Sequence, residues 1–350
     1  MTILNSAVKT TALFTLCTLS LTLFAHEYDN ARPDSHAPIG VTGDHLHQQG
    51  EWMVEYRYMY MRMDELRQGS DSISNQDAFQ EGYDMVPNQM TMQMNMFMLM
   101  YAPSDSVTLM GMAMYNSSEM SMTTNPHSES MGGHGDMHGH DHSSGGSHET
   151  SGWGDTVVSA LVKLWQQGSH QLHAEIGFGL PTANVEEKMD GVYQAYGMQL
   201  GTGIWDFRPG LTYTSQADSM SWGAQIKAAI ALEDENDAGF RFGNAYEGTM
   251  WIAKPLAQAW SVSGRLTYEK QESISGHYNG PHPHAAPNHF QQNYGGERSF
   301  AALGANLRIP EGKLKGQRFG AELSAPIYEN LNGIQLGVDY NFTIGWQFAW

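Results

Sequence analysis

The sequence predicts an all-β protein: a transmembrane antiparallel up-and-down β-barrel of about 12 strands with long extracellular loops, as found in bacterial outer membranes. Three observations predict it. Long stretches alternate strictly between apolar and polar residues, no apolar run beyond the first 25 residues could cross a bilayer as a helix, and the connections divide into short and long.

The alternation is clearest at the end of the chain. Ile334, Leu336, Val338, Tyr340, Phe342, Ile344, Trp346, Phe348 and Trp350 alternate with Gln335, Gly337, Asp339, Asn341, Thr343, Gly345, Gln347 and Ala349. A period of two puts the two sets on opposite faces of one strand. Because a lipid-facing charge is costly, the aromatics are expected outward and Asp339 and Asn341 inward. Strands of soluble proteins average about 5 to 6 residues, whereas a membrane-spanning barrel strand needs about 9 to 11. The same long pattern recurs in Trp52 to Tyr60, His170 to Leu180, Met220 to Leu232 and Ser299 to Ile309. The opposite faces hold Glu55, Arg57, Glu175, Gln225, Lys227, Asn306 and Arg308, which suits a hydrogen-bonded lumen.

Candidate strands lie at 51–63, 90–101, 106–115, 155–166, 169–180, 196–205, 207–215, 219–232, 240–253, 258–270, 297–309, 316–326 and 333–350. That is one too many, because single-chain bacterial barrels have an even number. Loop lengths read from the two ends agree in phase only if 196–215 is a single strand, bulged near Asp206 to Pro209. Twelve strands then remain, with both termini periplasmic and every long loop outside.

The remaining segments fix the organisation. Residues 1–25 read as a signal peptide, with Lys9 ahead of an apolar run ending at Phe24 and Ala25 as the cut. The lone Cys17 falls inside it, so the exported chain is expected to lack disulfides. Residues 26–50 form a polar segment with His26, His36, His45 and His47, expected inside the barrel mouth or mobile. Residues 51–350 form the barrel, interrupted by a Gly-, Ser- and His-rich insert at 126–151. The net charge of −19 excludes nucleic acid as a partner and favours cations. The expected surroundings are outer-membrane lipid and lipopolysaccharide, to which the acidic turn Glu233 to Asp237 offers a divalent-ion bridge.

Three stretches resemble a bacterial family of outer-membrane transporter-like barrels. They are Ala37-Pro-Ile-Gly-Val-Thr-Gly-Asp-His-Leu-His47 continuing through Gly50 to Arg62, the run Gln199 to Tyr213, and Pro326 to Gly333 before the final strand. The group is similar to the broad family labelled for a meta-pathway of phenol degradation, from about residue 37 to the end. The resemblance implies an outer-membrane barrel in a Gram-negative cell and names neither substrate nor catalytic residue. Trp350 also resembles the closing aromatic that such barrels present to the barrel-assembly machinery.

Two compositional signals bear on chemistry. The insert gathers His127, His134, Asp136, Met137, His138, His140, Asp141, His142 and His148. Imidazole suits copper, zinc and nickel, and thioether suits cuprous ion. Such a segment is equally a solvated tail that takes metal only when metal is abundant. A second loop offers His282 and His284, spaced to share an ion. Methionine is the other signal, since 18 of the 23 lie between Met53 and Met137. Met59 and Met61 in one strand, and Met110, Met112 and Met114 in another, oppose the apolar face and are expected in the lumen. The strand between them is open at this stage: turning Met90 to Met100 inward points Gln93 and Asn95 at lipid. Methionine is also an ordinary filler of apolar surfaces. No His-Glu-x-x-His or Gly-x-Ser-x-Gly pattern occurs, so no enzyme is expected. The sequence thus points to a channel or metal-handling barrel for copper or a similar soft cation, requiring no resident cofactor. The alternatives are a passive pore for small organic or aromatic compounds and a barrel that transports nothing.

Overall fold

The computed structural model describes residues 29–126 and 146–350. The segment 1–25, expected to be a signal peptide, and most of the histidine insert lie outside the described residues. No helix among the described residues is long and apolar enough to cross a membrane, so any crossing falls to strands.

The strands are β1 (Trp52–Gly69), β2 (Met85–Ser104), β3 (Val107–Thr124), β4 (Thr156–Gln167), β5 (His170–Leu180), β6 (Asp206–Ala217), β7 (Met220–Ala231), β8 (Ala245–Pro255), β9 (Trp260–Gln271) and β10 (Gly296–Arg308). Each pairs antiparallel with the next, and the last element, Arg318–Ala349, closes the ring on β1. That makes eleven elements, yet an all-antiparallel ring cannot close on an odd number of passes.

The last element resolves the conflict by folding back. Run straight, its 32 residues would span about 100 Å, several times a bilayer. Residues 318–331 (β11) pair with β10, whereas 334–349 (β12) pair with β1. Trp346 Nε1 donates to Gln317 Oε1 at 3.0 Å and the Val338 N–H donates to Glu329 Oε1 at 3.1 Å, so the two arms lie side by side. Between them stands Asn332-Gly333, with Gly333 at φ 58°, the pair that a two-residue hairpin turn demands. The barrel therefore has twelve strands, with the described parts of the loops after β3 and β9 on one rim.

The outer surface carries a belt of exposed apolar side chains, with Ile226, Met250, Leu303 and Leu323 all more than half exposed. A soluble protein would bury them; lipid covers them here. Trp52, Trp165, Trp260 and Trp350 mark the rim of the short turns, and Tyr246, Tyr268 and Tyr328 the opposite rim. Such aromatic girdles sit at the two membrane interfaces.

Three sequence expectations need correction. Residues 196–205 do not form a strand: only Asp206–Ala217 enters the sheet, while Tyr196, Met198, Leu200 and Ile204 are buried under the loops. The Asp155 carboxylate accepts the N–H groups of Thr202 at 2.6 Å and Gly203 at 3.3 Å, and Gly203 adopts φ 65°, so the backbone is turned out of any ladder. Second, β8 begins at Ala245, and Phe240–Arg241 pairs separately with Ser275–Gly276. Third, Asp339 does not face the lumen. The β1–β12 register slips between Arg62 and Met63, leaving Asp339 exposed at 3.6 Å from Arg62. Val338, Leu336 and Ile334 beyond the slip turn inward instead. The expected facing holds below it, where Thr343 and Gln347 are buried and Phe342 and Ile344 exposed.

Residues 29–50 enter the barrel from the short-turn rim, rise to an apex near Gly40 to Thr42 and return to β1. At the rim the Ser221 and Ser261 hydroxyls donate to the carbonyls of Asp34 and Pro33. Trp251, buried in the lumen, packs on Ala37 and Val41. Tryptophan position yields a test in bilayers containing brominated lipid: single-Trp variants retaining Trp260 or Trp346 are expected to be quenched, and one retaining only Trp251 is not. Quenching of Trp251 would invert the barrel's faces.

Candidate functional site

The inward faces of β1, β2 and β3 form a wall of thioethers. Register places Met53 beside Met100 and Met100 beside Met110; one row on, Met98 lies beside Met112, then Met96 beside Met114. Higher rows align Met59 with Met94, Met61 with Met92, and Met63 with Met90 and Met120. Met53, Met96, Met98, Met100 and Met110 are all buried, with Met59, Met112 and Met114 packed against them. The predicted inward facing of Met59, Met61, Met110, Met112 and Met114 is thus what the structure has.

It also decides β2, whose methionines face inward and whose Gln93 and Asn95 face out. The Tyr56 hydroxyl donates to Asn95 Oδ1 at 2.8 Å and that of Tyr58 to Gln93 Oε1 at 3.1 Å. A hydrogen bond from the neighbouring strand offsets part of the roughly 1–3 kcal/mol that a bare amide in lipid would cost.

The opposite wall is charged. Lys227 lies 2.8 Å from Glu175, Arg265 lies 2.6 Å from Glu322, and Glu329 is shared by Arg67 and Arg298 at 3.2 and 3.3 Å. Glu247 and Glu269 stand opposite each other across β8 and β9. Between the walls lie linked cavities. One of about 310 Å³ rests on Gly40 and Thr42 and reaches Arg298 and Gln271. These two residues also line a cavity of about 380 Å³, bounded by Met63, Met90, Met92, Met120 and Leu336. Met120 in turn lines a rim pocket of about 170 Å³ with Met122, His148 and His289.

Of the predicted histidines, His127, His134, His138, His140 and His142, with Asp136, Met137 and Asp141, lie outside the described residues. His148 lies on Ser147–Trp153, a short strand continuing the wall on β3. The His282 and His284 rings meet edge to face with centroids 4.4 Å apart. The His282 ring donates through Nδ1 to the Gly280 carbonyl at 2.9 Å, which directs Nε2 away. His289, carried by the same loop, joins them: burial holds its pKa down at about 4, with His148, His284 and His282 adding to the effect. Four imidazoles thus converge at the rim beside the first methionines.

The polar segment 29–50 has a larger role than its composition suggested. Arg57, buried beside Glu55, donates to Thr42 Oγ1 at 2.9 Å and to the Val41 carbonyl at 3.2 Å. Gln225 and Lys227 donate to the Thr42 carbonyl at 3.1 and 3.4 Å from the other wall. Gly40 fits between Arg265 and Glu322 where any Cβ would collide. The segment is a plug, pinned at its apex from both sides. It also brings together His36, Asp44, His45 and His47, which sequence reasoning left among the polar residues. The spacing Asp44-His-Leu-His47 is the one signal that could have marked them.

Residues 74–293 match the model of a family described as Putative MetA-pathway of phenol degradation. Curated proteins give no match. An outer-membrane channel from Pseudomonas putida F1 has the same fold at 13% identity, with 89% of this chain covering 99% of that one and a TM-score of 0.59. A P. putida toluene transporter, TodX, aligns at 9% identity over 87% of this chain and 91% of its own, with a TM-score of 0.43, too low to carry an argument.

Arg57→Ala tests the plug. Breaking a buried ion pair by removing one partner costs about 3–5 kcal/mol, and the apex loses its grip at Val41 and Thr42. The variant is expected to unfold at lower denaturant and to conduct more in planar bilayers. Unchanged conductance would mean that the plug holds without this residue.

Proposed function

The chain belongs to the phenol-degradation pathway family matched above, and from that premise we propose that this outer-membrane channel-type barrel handles soft or borderline metal cations, copper foremost. The observation that supports this reading is the continuous thioether wall. Methionines line each of the three linked cavities, from the pocket beside His148 and His289 down to the plug. Thioether is a soft ligand that retains cuprous ion, and imidazole at the rim suits cupric, zinc or nickel ions. An ion captured by histidine at the outer rim meets thioethers next. The histidine insert, with His134 to His142, would extend the capture zone into the loop after β3.

A second reading rests on one cavity. The space of about 380 Å³ beside Met90, Met92, Met198, Phe242 and Leu336 has the size and apolar lining of a small-molecule pocket. A passive route for small organic compounds would use it and accords with the family description.

A leucine series separates the two. Leucine is near methionine in volume and usually costs under about 1.5 kcal/mol in its place, so Met90, Met92, Met110 and Met112, which line the cavities, can be exchanged together. The purified parent barrel is expected to bind cuprous ion under reductant, and the leucine variant to bind at least one equivalent fewer. Equal binding by both would overturn the metal reading. Phenol or toluene raising the melting temperature of both proteins alike would then favour the organic pore.

A further inference from the structure

The plug holds a group of side chains that neither the methionine wall nor the outer histidines account for. The rings of His36 and His45 have centroids 3.9 Å apart, and those of His45 and His47 4.8 Å apart. His36 Nδ1, His45 Nε2 and His47 Nε2 are shielded from solvent without a hydrogen-bond partner. His45 and His47 are more than nine-tenths buried. Leaving a buried polar atom unmet costs about 1–3 kcal/mol, so three on one cluster of packed rings call for a partner.

The other ring nitrogens of His45 and His47 are already engaged. His45 Nδ1 donates to Asp44 Oδ1 at 2.8 Å, and the second Asp44 oxygen accepts the Ala37 N–H at 2.7 Å. His47 Nδ1 lies 3.3 Å from Glu51 Oε2. Carboxylates that hold one nitrogen of an imidazole fix its tautomer and present the other nitrogen's lone pair, as in many metal sites. The candidate ligand atoms of His36, Asp44 and His45 lie within 4.8 Å of one another. Donors on a tetrahedral metal with bonds of about 2.0–2.1 Å stand roughly 3.3 Å apart, so this group lies near metal spacing, and rotation of the His47 ring, whose centroid is 4.8 Å from that of His45, would bring in the third imidazole. A cavity of about 400 Å³ lined by the three histidines and Met53 provides access at the periplasmic rim. Arg318 is the opposing charge nearby, and its guanidinium is occupied by the carbonyls of Asn30 and Arg32 and the Ser35 hydroxyl.

We propose that His36, His45 and His47 form a binding site for a borderline divalent cation, zinc or cupric ion, at the periplasmic mouth of the barrel, with Asp44 and Glu51 positioning two of the rings. The site consists of nitrogen donors on the plug and does not depend on soft-cation traffic along the methionines.

Cobalt(II), an optical stand-in for zinc, supplies the test on the full-length, metal-stripped barrel in detergent. The parent is expected to bind one tight equivalent with the intense visible bands of a tetrahedral nitrogen site, displaced by zinc. His45→Gln and His47→Gln should each remove that equivalent while leaving weaker binding by the other histidines. Asp44→Asn should weaken it by about 10- to 100-fold. Retained resistance of the barrel to unfolding in cold detergent would show that each variant folds; His36→Gln, at the edge of the plug, serves if His45→Gln does not. A four-leucine variant with Met90, Met92, Met110 and Met112 exchanged, none of which lines the histidine cavity, should keep the cobalt bands, so that failure of the wall and failure of this site are told apart. Bands and stoichiometry unchanged in the histidine variants, or a parent with no tight equivalent, would overturn the site and leave a bound water between the rings as its explanation.

Discussion

Everything in this molecule depends on one constraint: in hydrocarbon, no backbone N–H or C=O can be left to water, so the sheet must close on itself. Closure fixes more than stability. With all neighbours antiparallel, it requires an even number of passes, and the folding-back of Arg318–Ala349 at Asn332-Gly333 supplies the twelfth. Even passes bring the chain's last strand beside β1, where Trp52 and Trp350 exchange backbone hydrogen bonds at 2.9 Å. They also set all the long links on one rim. The loops that carry His148 and the His282–His284 pair meet for that reason.

Closure also separates two environments, and the sequence records the separation unevenly. The period of two made most strands and the facing of Met59, Met61, Met110, Met112 and Met114 legible, because alternation follows from backbone geometry. Met90 to Met100 were not legible from their own strand. Their facing depends on Tyr56 and Tyr58 answering Asn95 and Gln93 across a strand boundary, a pairing that exists only once register is set. Asp339 misled for a related reason: a slip of one residue beside Arg62 reverses every side chain above it. Residues 196–205 alternate like a strand because they pack on one side against the loop core, a local pattern with a different cause.

The plug is the least legible part. Its residues are polar, without period, and would read as a mobile tail were it not for partners far away in sequence. Arg57, Gln225, Lys227, Ser221, Ser261 and Arg318 reach it from four strands. A lumen lined with buried charges and hydroxyls needs polar groups to satisfy it, and a re-entrant chain with bare carbonyls at its apex supplies them. Satisfying the lumen and blocking it are therefore one act, and any solute passing the barrel has to displace hydrogen bonds made from opposite walls.

What the lumen offers a solute follows from which groups are left unpaired. Glu55, Glu175, Glu322 and Glu329 each hold an arginine or lysine, and Arg265 and Arg298 stand near the facing pair Glu247 and Glu269. A hard cation such as magnesium would have to compete with these built-in cations at Glu55, Glu175, Glu322 and Glu329, while losing its water. The thioethers of β1 to β3 face no such competitor. The lumen therefore sets largely neutralised charges on one wall against a row of uncharged thioethers on the other. The net charge of −19 belongs to the whole chain, and in the lumen most of the buried carboxylates are answered by the chain's own arginine and lysine.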